Sequence, residues 1–156
     1  MIIGVRIDGR LIHGQVANLW ASSVNVGRFM VVDDDVAQND VEKSGLKLAT
    51  PAGVKLSVLP VEKAANNILS GKYDSQRLFI IAKRPQPLLE LVEKGVPLKE
   101  INVGNMSRTD ETRSLTKSIN VTDADIETFK QLEEKGVHLV NQMVPTDPQH
   151  EFKELL

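Results

Sequence analysis

The chain of 156 residues contains no cysteine, so no disulfide framework can staple it and no thiolate can act as its nucleophile. That absence fits a reducing compartment. Aromatic residues are scarce, with four Phe, one Trp and one Tyr. So few rings give no sign of a bulky aromatic pocket and suit docking a protein better than burying a free ligand. No apolar run approaches the ~20 residues needed to span a bilayer. Residues 1–22 lack a basic segment leading into a long apolar stretch, so no signal peptide is expected. A net charge of −2 gives no global electrostatic case for binding nucleic acid. With 41% hydrophobic and 26% charged residues, the composition is that of an ordinary globular chain. The expectation is a cytoplasmic protein with one domain spanning residues 1–156.

Short β-rich runs alternate with longer helical patterns along almost the whole length. Strands are expected at Ile2–Ile7, Phe29–Val32, Lys55–Leu59, Leu78–Ala82, Ile101–Val103 and Leu139–Met143. Helices are expected near Gln15–Ala21, Val36–Ala49, Val61–Ser70, Pro87–Lys94 and Asp123–Lys135, and a hairpin through Ser114–Val121. Leu78-Phe79-Ile80-Ile81-Ala82 is apolar without alternation, the habit of a strand covered on both faces. The pattern predicts an α/β fold: a doubly wound, mainly parallel sheet flanked by helices on both faces. Thr122-Asp123-Ala124-Asp125 reads as a capping box opening the last helix, and Gly136 as its stop.

In such sheets ligands bind outside the carboxyl ends of the strands. That rule selects Asp8, Arg10 and His13 after the first strand and Asp33–Asp35 after the second. Lys83 and Arg84 follow the fourth, and Asn105, Ser107 and Arg108 the fifth. His13 stands where a helix begins, flanked by Arg6 and Arg10, a place that favours an anion. A neutral imidazole can attack phosphorus, and nearby cations disfavour its protonated form and stabilise the transferring group. His138 and His150 read as structural or solvated.

Asp33-Asp34-Asp35 could hold Mg²⁺ and accept phosphate, with Lys83 as companion, as in a response-regulator receiver. A receiver needs its acidic pair after the first strand, however, and here all three acids follow the second. One of them is expected to cap the helix of Val36–Ala49. No P-loop, no Gly-x-Gly-x-x-Gly turn, no Gly-x-Ser-x-Gly elbow and no His/Glu pair at zinc spacing occurs. Neither a metal nor a cofactor is therefore expected. The rival classes are a receiver-like signalling domain and an anion-binding regulatory module without catalysis.

Arg6-Ile7-Asp8-Gly9-Arg10-Leu11-Ile12-His13-Gly14-Gln15-Val16 closely resembles a family signature. It is that of the IIB component of the mannose/fructose/sorbose class of the bacterial phosphoenolpyruvate-dependent sugar phosphotransferase system. Val32–Ala37, Ala52–Leu56, Ile101–Met106, Gly136–Leu139 and Gln142–Asp147 extend the resemblance over essentially the full length. Gly9 stands where the family often has Asp or Asn.

The resemblance implies that His13 is phosphorylated, by family precedent at Nδ1. The donor would be a phosphohistidine on a IIA partner. The acceptor would be a sugar entering through the membrane-embedded IIC and IID permease subunits, with which the protein would associate peripherally. Arg10 matches the motif arginine that neutralises phosphate charge. Arg6 and Asp8 would shape the loop and Gly14 completes the motif. Lys83 and Ser107 are added because their strands end on the same edge. The sugar (mannose, fructose, sorbose or N-acetylgalactosamine) is not legible, since the permease contacts it. Homodimers occur among such folds, but no stripe in the sequence demands one.

Overall fold

In the computed structural model, which describes residues 1–156, strands and helices alternate as expected. The strands are β1 (Ile2–Asp8), β2 (Arg28–Val32), β3 (Lys55–Leu59), β4 (Leu78–Ala82) and β5 (Glu100–Asn105), followed by the short β6 (Arg113–Ser114) and β7 (Asn120–Val121). β8 (His138–Asn141) and β9 (His150–Glu151) close the chain. The helices are α1 (Gly14–Ser23), α2 (Asp40–Ala49), α3 (Val61–Leu69), α4 (Pro85–Glu93) and α5 (Asp123–Glu134).

Seven strands form one sheet in the order β3-β2-β4-β1-β5-β8-β9, parallel except for the antiparallel edge pair β8–β9. Side chains on a strand alternate between faces, and the two cores sort accordingly. Met30, Val32, Leu78, Ile80 and Ala82 pack with α3, α4 and α5. Phe29, Val31, Phe79 and Ile81 pack instead with α1 and α2, where Trp20 meets Phe79 at 6.2 Å between ring centroids. All five residues of β4 are buried, which is why that run carries no polar residue. The chain leaves β1 toward one face and leaves β4 and β5 toward the other. A crevice therefore opens at the carboxyl end of β1.

Helix punctuation follows local chemistry. Thr122 Oγ1 accepts from Asp125 N (3.0 Å) and Asp125 Oδ2 from Thr122 N (2.9 Å), completing the capping box on α5. The expected helix Val36–Ala49 is divided: a 3-10 turn at Val36–Gln38 precedes α2. The cap of α2 is Asn39, whose Oδ1 accepts from Glu42 N at 3.0 Å, and none of the three aspartates. Asp33 caps the 3-10 turn through Val36 N, and Asp34 reaches across to Val61 N at 2.8 Å. That long reach compensates α3, whose N-cap is Pro60 and offers no side-chain acceptor.

β8 ends at Asn141, short of the expected Met143, because the chain there turns to meet β1 and α1. Gln142 O accepts from Arg6 and Met143 O from Trp20 Nε1. The polar-looking end of the chain is also ordered. β9 pairs with β8, and a second 3-10 turn places Phe152, fully buried, 4.6 Å from the Phe129 ring. The expected hairpin is present, with Ser114 opposite Asn120.

Candidate functional site

At the end of β1, Ile7 points into the larger core while Arg6 and Asp8, two apart, share the opposite face. Arg6 is 2% and Asp8 1% exposed. A charge that deep must be paired. Arg6 Nε donates to Asp8 Oδ2 at 3.3 Å, Nη1 to Gln142 O at 2.9 Å, and Nη2 to the Met143 sulfur at 3.7 Å. Its guanidinium lies 5.4 Å from the Trp20 ring centroid, and a Cβ at Gly104 would overlap it. Burial lowers the Arg6 pKa from its ordinary value, and Asp8 opposes that shift.

Asp8 organises the loop that follows. Its Oδ1 accepts from Arg10 N at 3.0 Å, an Asx turn, and its carbonyl accepts from Leu11 N at 2.9 Å. Leu11 adopts φ +60°, a conformation that costs an L-residue roughly 1–2 kcal/mol. Burial of Leu11 and Ile12 in the smaller core offsets that strain and anchors the loop. His13 follows as the extended N-cap of α1, making no capping bond with its side chain. Instead, His13 Nε2 lies 3.2 Å from Asp8 Oδ2, with 27% of the side chain exposed.

This corrects the expected picture of Arg6 facing the histidine. Arg6 acts on the ring through the carboxylate between them. Hydrogen bonding to Asp8 requires Nε2 to carry the proton, which leaves the Nδ1 lone pair for chemistry. At the start of α1, the backbone N–H groups of His13, Gly14, Gln15 and Val16 donate to no protein acceptor. Gly14 supplies φ +45° at the first turn, which has no acidic residue to offset the helix dipole.

A polar cleft of about 280 Å³ lies beside this loop, lined by Arg10, Asn105, Ser107, Arg108, Lys117 and Ser118 among others. Gly9 N donates to Asn105 O at 3.0 Å, and a Cβ at Gly9 would overlap the Ser107 hydroxyl. The β1 and β5 loops are thus nested, and glycine at position 9 is what lets Ser107 approach. A larger apolar groove of about 680 Å³ sits around Met1–Val5, Leu69, Tyr73 and Leu78, at the amino end of β1 and away from His13.

The family model for the sorbose-subfamily IIB component of the PTS (phosphotransferase system) matches residues 2–156. The chain belongs to this family. It is 36% identical to the fructose-specific EIIB component of Bacillus subtilis (strain 168) over 155 residues, covering 99% of this chain and 95% of that protein. It is 38% identical to the mannose-specific EIIAB component of Escherichia coli (strain K12), covering all of this chain and 49% of that longer protein. The crystal structure of the IIB domain of the Klebsiella pneumoniae sorbose permease superposes with a TM-score of 0.96 at 32% identity. That superposition covers 99% of this chain and 95% of that one. IIB components of the phosphotransferase system are phosphotransferases that act in sugar uptake. No helix of this IIB component is long and apolar enough to cross a membrane.

Not all the residues selected from sequence meet at the histidine. His13, Asp8, Arg6 and Gly14 converge there, while Arg10 and Ser107 line the neighbouring cleft. Lys83 pairs with Glu42 on α2 at 3.6 Å, because its place in the β4 alternation turns it toward the α1–α2 face. Arg84 turns the other way and bridges Ser107 O (2.9 Å), Asn120 O (3.2 Å) and the buried Asp125 (2.6 Å). No three His, Cys, Asp or Glu side chains of the chain are arranged to hold a metal. His138 lies at the sheet's far edge between Glu100 (3.1 Å) and Glu151 (2.7 Å), which raise its pKa above 6.5. Lys117 escaped the sequence reading, since it follows β5 by a dozen residues and only the hairpin brings it back. The buttress from Gln142 and Met143 escaped it as well, because backbone carbonyls leave no composition signal.

Proposed function

We propose that this protein is the phosphoryl carrier of a sugar phosphotransferase system, with His13 Nδ1 as the carrier atom. The observation that carries the reading is the His13–Asp8–Arg6 chain. It holds the ring by Nε2 at the start of a helix whose first N–H groups are free.

In the accepting step the Nδ1 lone pair forms a bond to phosphorus while the P–N bond to a IIA histidine breaks. The departing electron pair stays on that imidazole. Attack from Nδ1 spreads positive charge over the ring as far as Nε2–H, where Asp8 lies 3.2 Å away to stabilise it. Arg6 holds the carboxylate in place. The N–H groups of residues 13–16 and the Arg10 guanidinium supply charge to the phosphoryl oxygens, so the step draws on positioning and electrostatics alone. In the donating step a hydroxyl of a sugar held by the IIC and IID permease subunits attacks phosphorus. The P–N bond breaks, its electron pair returns to Nδ1, and the hydroxyl proton is released. The partial exposure of His13 suits a residue that must meet two partners in turn.

The relatives named for fructose, sorbose, mannose and N-acetylgalactosamine lie at 32–38% identity, a band too narrow to single out one sugar. The test is His13→Gln in a reconstituted relay from phosphoenolpyruvate. The expected result is a folded protein that takes up no phosphate while His138→Gln and His150→Gln behave as wild type. Uptake at the wild-type level by folded His13→Gln would overturn the reading.

A further inference from the structure

We propose that the cleft between the loop after β5 and the β6–β7 hairpin seats a terminal phosphoryl dianion, with Arg108 and Lys117 joining Arg10 as its ligands. Two sources share that chemistry: the group carried on His13, and that of a free sugar phosphate. Only the first rests on the carrier reading above.

Arg10, Arg108 and Lys117 all line the cleft, and no Asp or Glu does. None of the three side chains takes part in a hydrogen bond or ion pair within the protein. By contrast, Arg6, Arg28, Arg77 and Arg84 each donate to at least two protein acceptors. Three cations held together without a counter-ion repel one another, and a dianion between them converts that repulsion into attraction. The hydroxyls of Ser107 and Ser118 add uncharged donors, one on each wall.

The walls are fixed before any ligand arrives. Met106 N donates to Ser118 O at 2.9 Å, and Asn120 N returns a bond to Met106 O at 3.1 Å. Thr116 Oγ1 accepts from Ser118 N and Ile119 N, both at 3.2 Å. Met106 and Ile119 are fully buried beneath, and Arg84 clamps the two walls through Ser107 O and Asn120 O. A preformed site avoids the ordering cost that weakens binding to mobile loops. At about 280 Å³ the cleft falls just below the usual range of roughly 300–1,000 Å³ for small-molecule sites. No aromatic ring lines it, so nothing there would stack a base. Size and lining fit a phosphoryl group with at most a sugar attached.

The experiment follows the backbone amides of the whole chain by NMR. One arm adds mannose 6-phosphate to the unphosphorylated protein, with mannose as control. The other phosphorylates His13 through the relay without adding sugar. The amides of Ser107, Arg108, Lys117 and Ser118 are expected to shift in at least one arm and to ignore mannose, and the arm that responds identifies the source. Arg108→Gln and Lys117→Gln, both exposed and unpaired, leave the fold intact and should each weaken sugar-phosphate binding about tenfold or abolish the His13-dependent shifts. Cleft amides that stay still in both arms, or that shift equally in wild type and both variants, would overturn the proposal. Failure of the carrier reading shows elsewhere, as phosphate uptake by His13→Gln, and leaves the mannose 6-phosphate arm unaffected.

Discussion

Replacing Asp8 by Asn removes the one negative charge that joins Arg6 to His13 and changes almost nothing in volume. Arg6, with its side chain 3% exposed, would keep Gln142 O, the Met143 sulfur and the Trp20 face, none of which bears a charge. Stranding one member of a buried ion pair costs about 3–5 kcal/mol, and the surviving Gln142 bond puts the expected loss near the lower end, about 3 kcal/mol. The amide can also donate to Nε2, so it no longer selects the tautomer with a free Nδ1. The corresponding change in a Ser-His-Asp triad costs about 10⁴ in rate. Here the ring is 27% exposed and water can stand in, so a slowing of about a hundredfold is expected, some 2.7 kcal/mol of barrier. Urea unfolding gives the first quantity and single-turnover transfer from phosphorylated IIA the second. The double variant Arg6→Met/Asp8→Leu should regain most of the stability, since an apolar pair can replace a buried ionic one, yet remain slow. An Asp8→Asn protein within about 0.5 kcal/mol of wild type, the range of an inert surface change, and equally fast in transfer would refute the reasoning.

Gly104→Ala drives a methyl into the Arg6 guanidinium, which Trp20 prevents from retreating; a loss of about 1–3 kcal/mol with slowed transfer is expected, and unchanged thermal stability would contradict it. Phe152→Ala should cost about 3–5 kcal/mol in urea unfolding, because its ring is fully buried against Phe129; a loss under about 1 kcal/mol would remove it from the core. His138 has a folded pKa raised by Glu151 and Glu100, so its contribution is complete below pH 6.5 and lost as pH rises through the folded value. Thermal unfolding at pH 5.5 and 8.5 should therefore show a pH dependence that His138→Gln reduces, by a small amount for so exposed a group; an identical dependence in the variant would exclude the contact as its source.

The strand–helix alternation was readable because burial on both faces leaves no room for polar residues, as in Leu78–Ala82, and because Thr122 and Asp125 cap locally. The divided second helix was in principle readable too. Asn39 and Glu42 stand three apart in a capping pattern, but no glycine or proline separates Val36 from Asp40, and the one glycine of the run, Gly45, lies inside α2, so the run read as continuous. Phe152 could not be read from pattern at all. Phe152 and Leu155 are too few in a charged segment to show a period, and contact with the distant core, the Phe129 ring included, is what buries Phe152.

The site divides along the same physical line. The carboxyl-edge rule and the helix start picked out His13, Asp8, Arg10 and Ser107 without the fold in hand. Strand alternation, applied to β1 and β4, would have separated two of the cations as well. It pairs Arg6 with Asp8 on one face and sends Lys83 toward α2. What no local pattern carries is the return of the hairpin with Lys117, or the carbonyls of Gln142 and Met143 arriving from over 120 residues away, since these depend on chain reversal rather than on residue type.

The most direct test of the account is to phosphorylate the wild-type protein through the phosphoenolpyruvate relay and locate the phosphate by NMR of nitrogen-15-labelled histidine rings. The account predicts an acid-labile phosphate on His13, bonded at Nδ1, with Nε2 still protonated beside Asp8. Phosphate on an aspartate, on another histidine, or on Nε2 of His13 would contradict it.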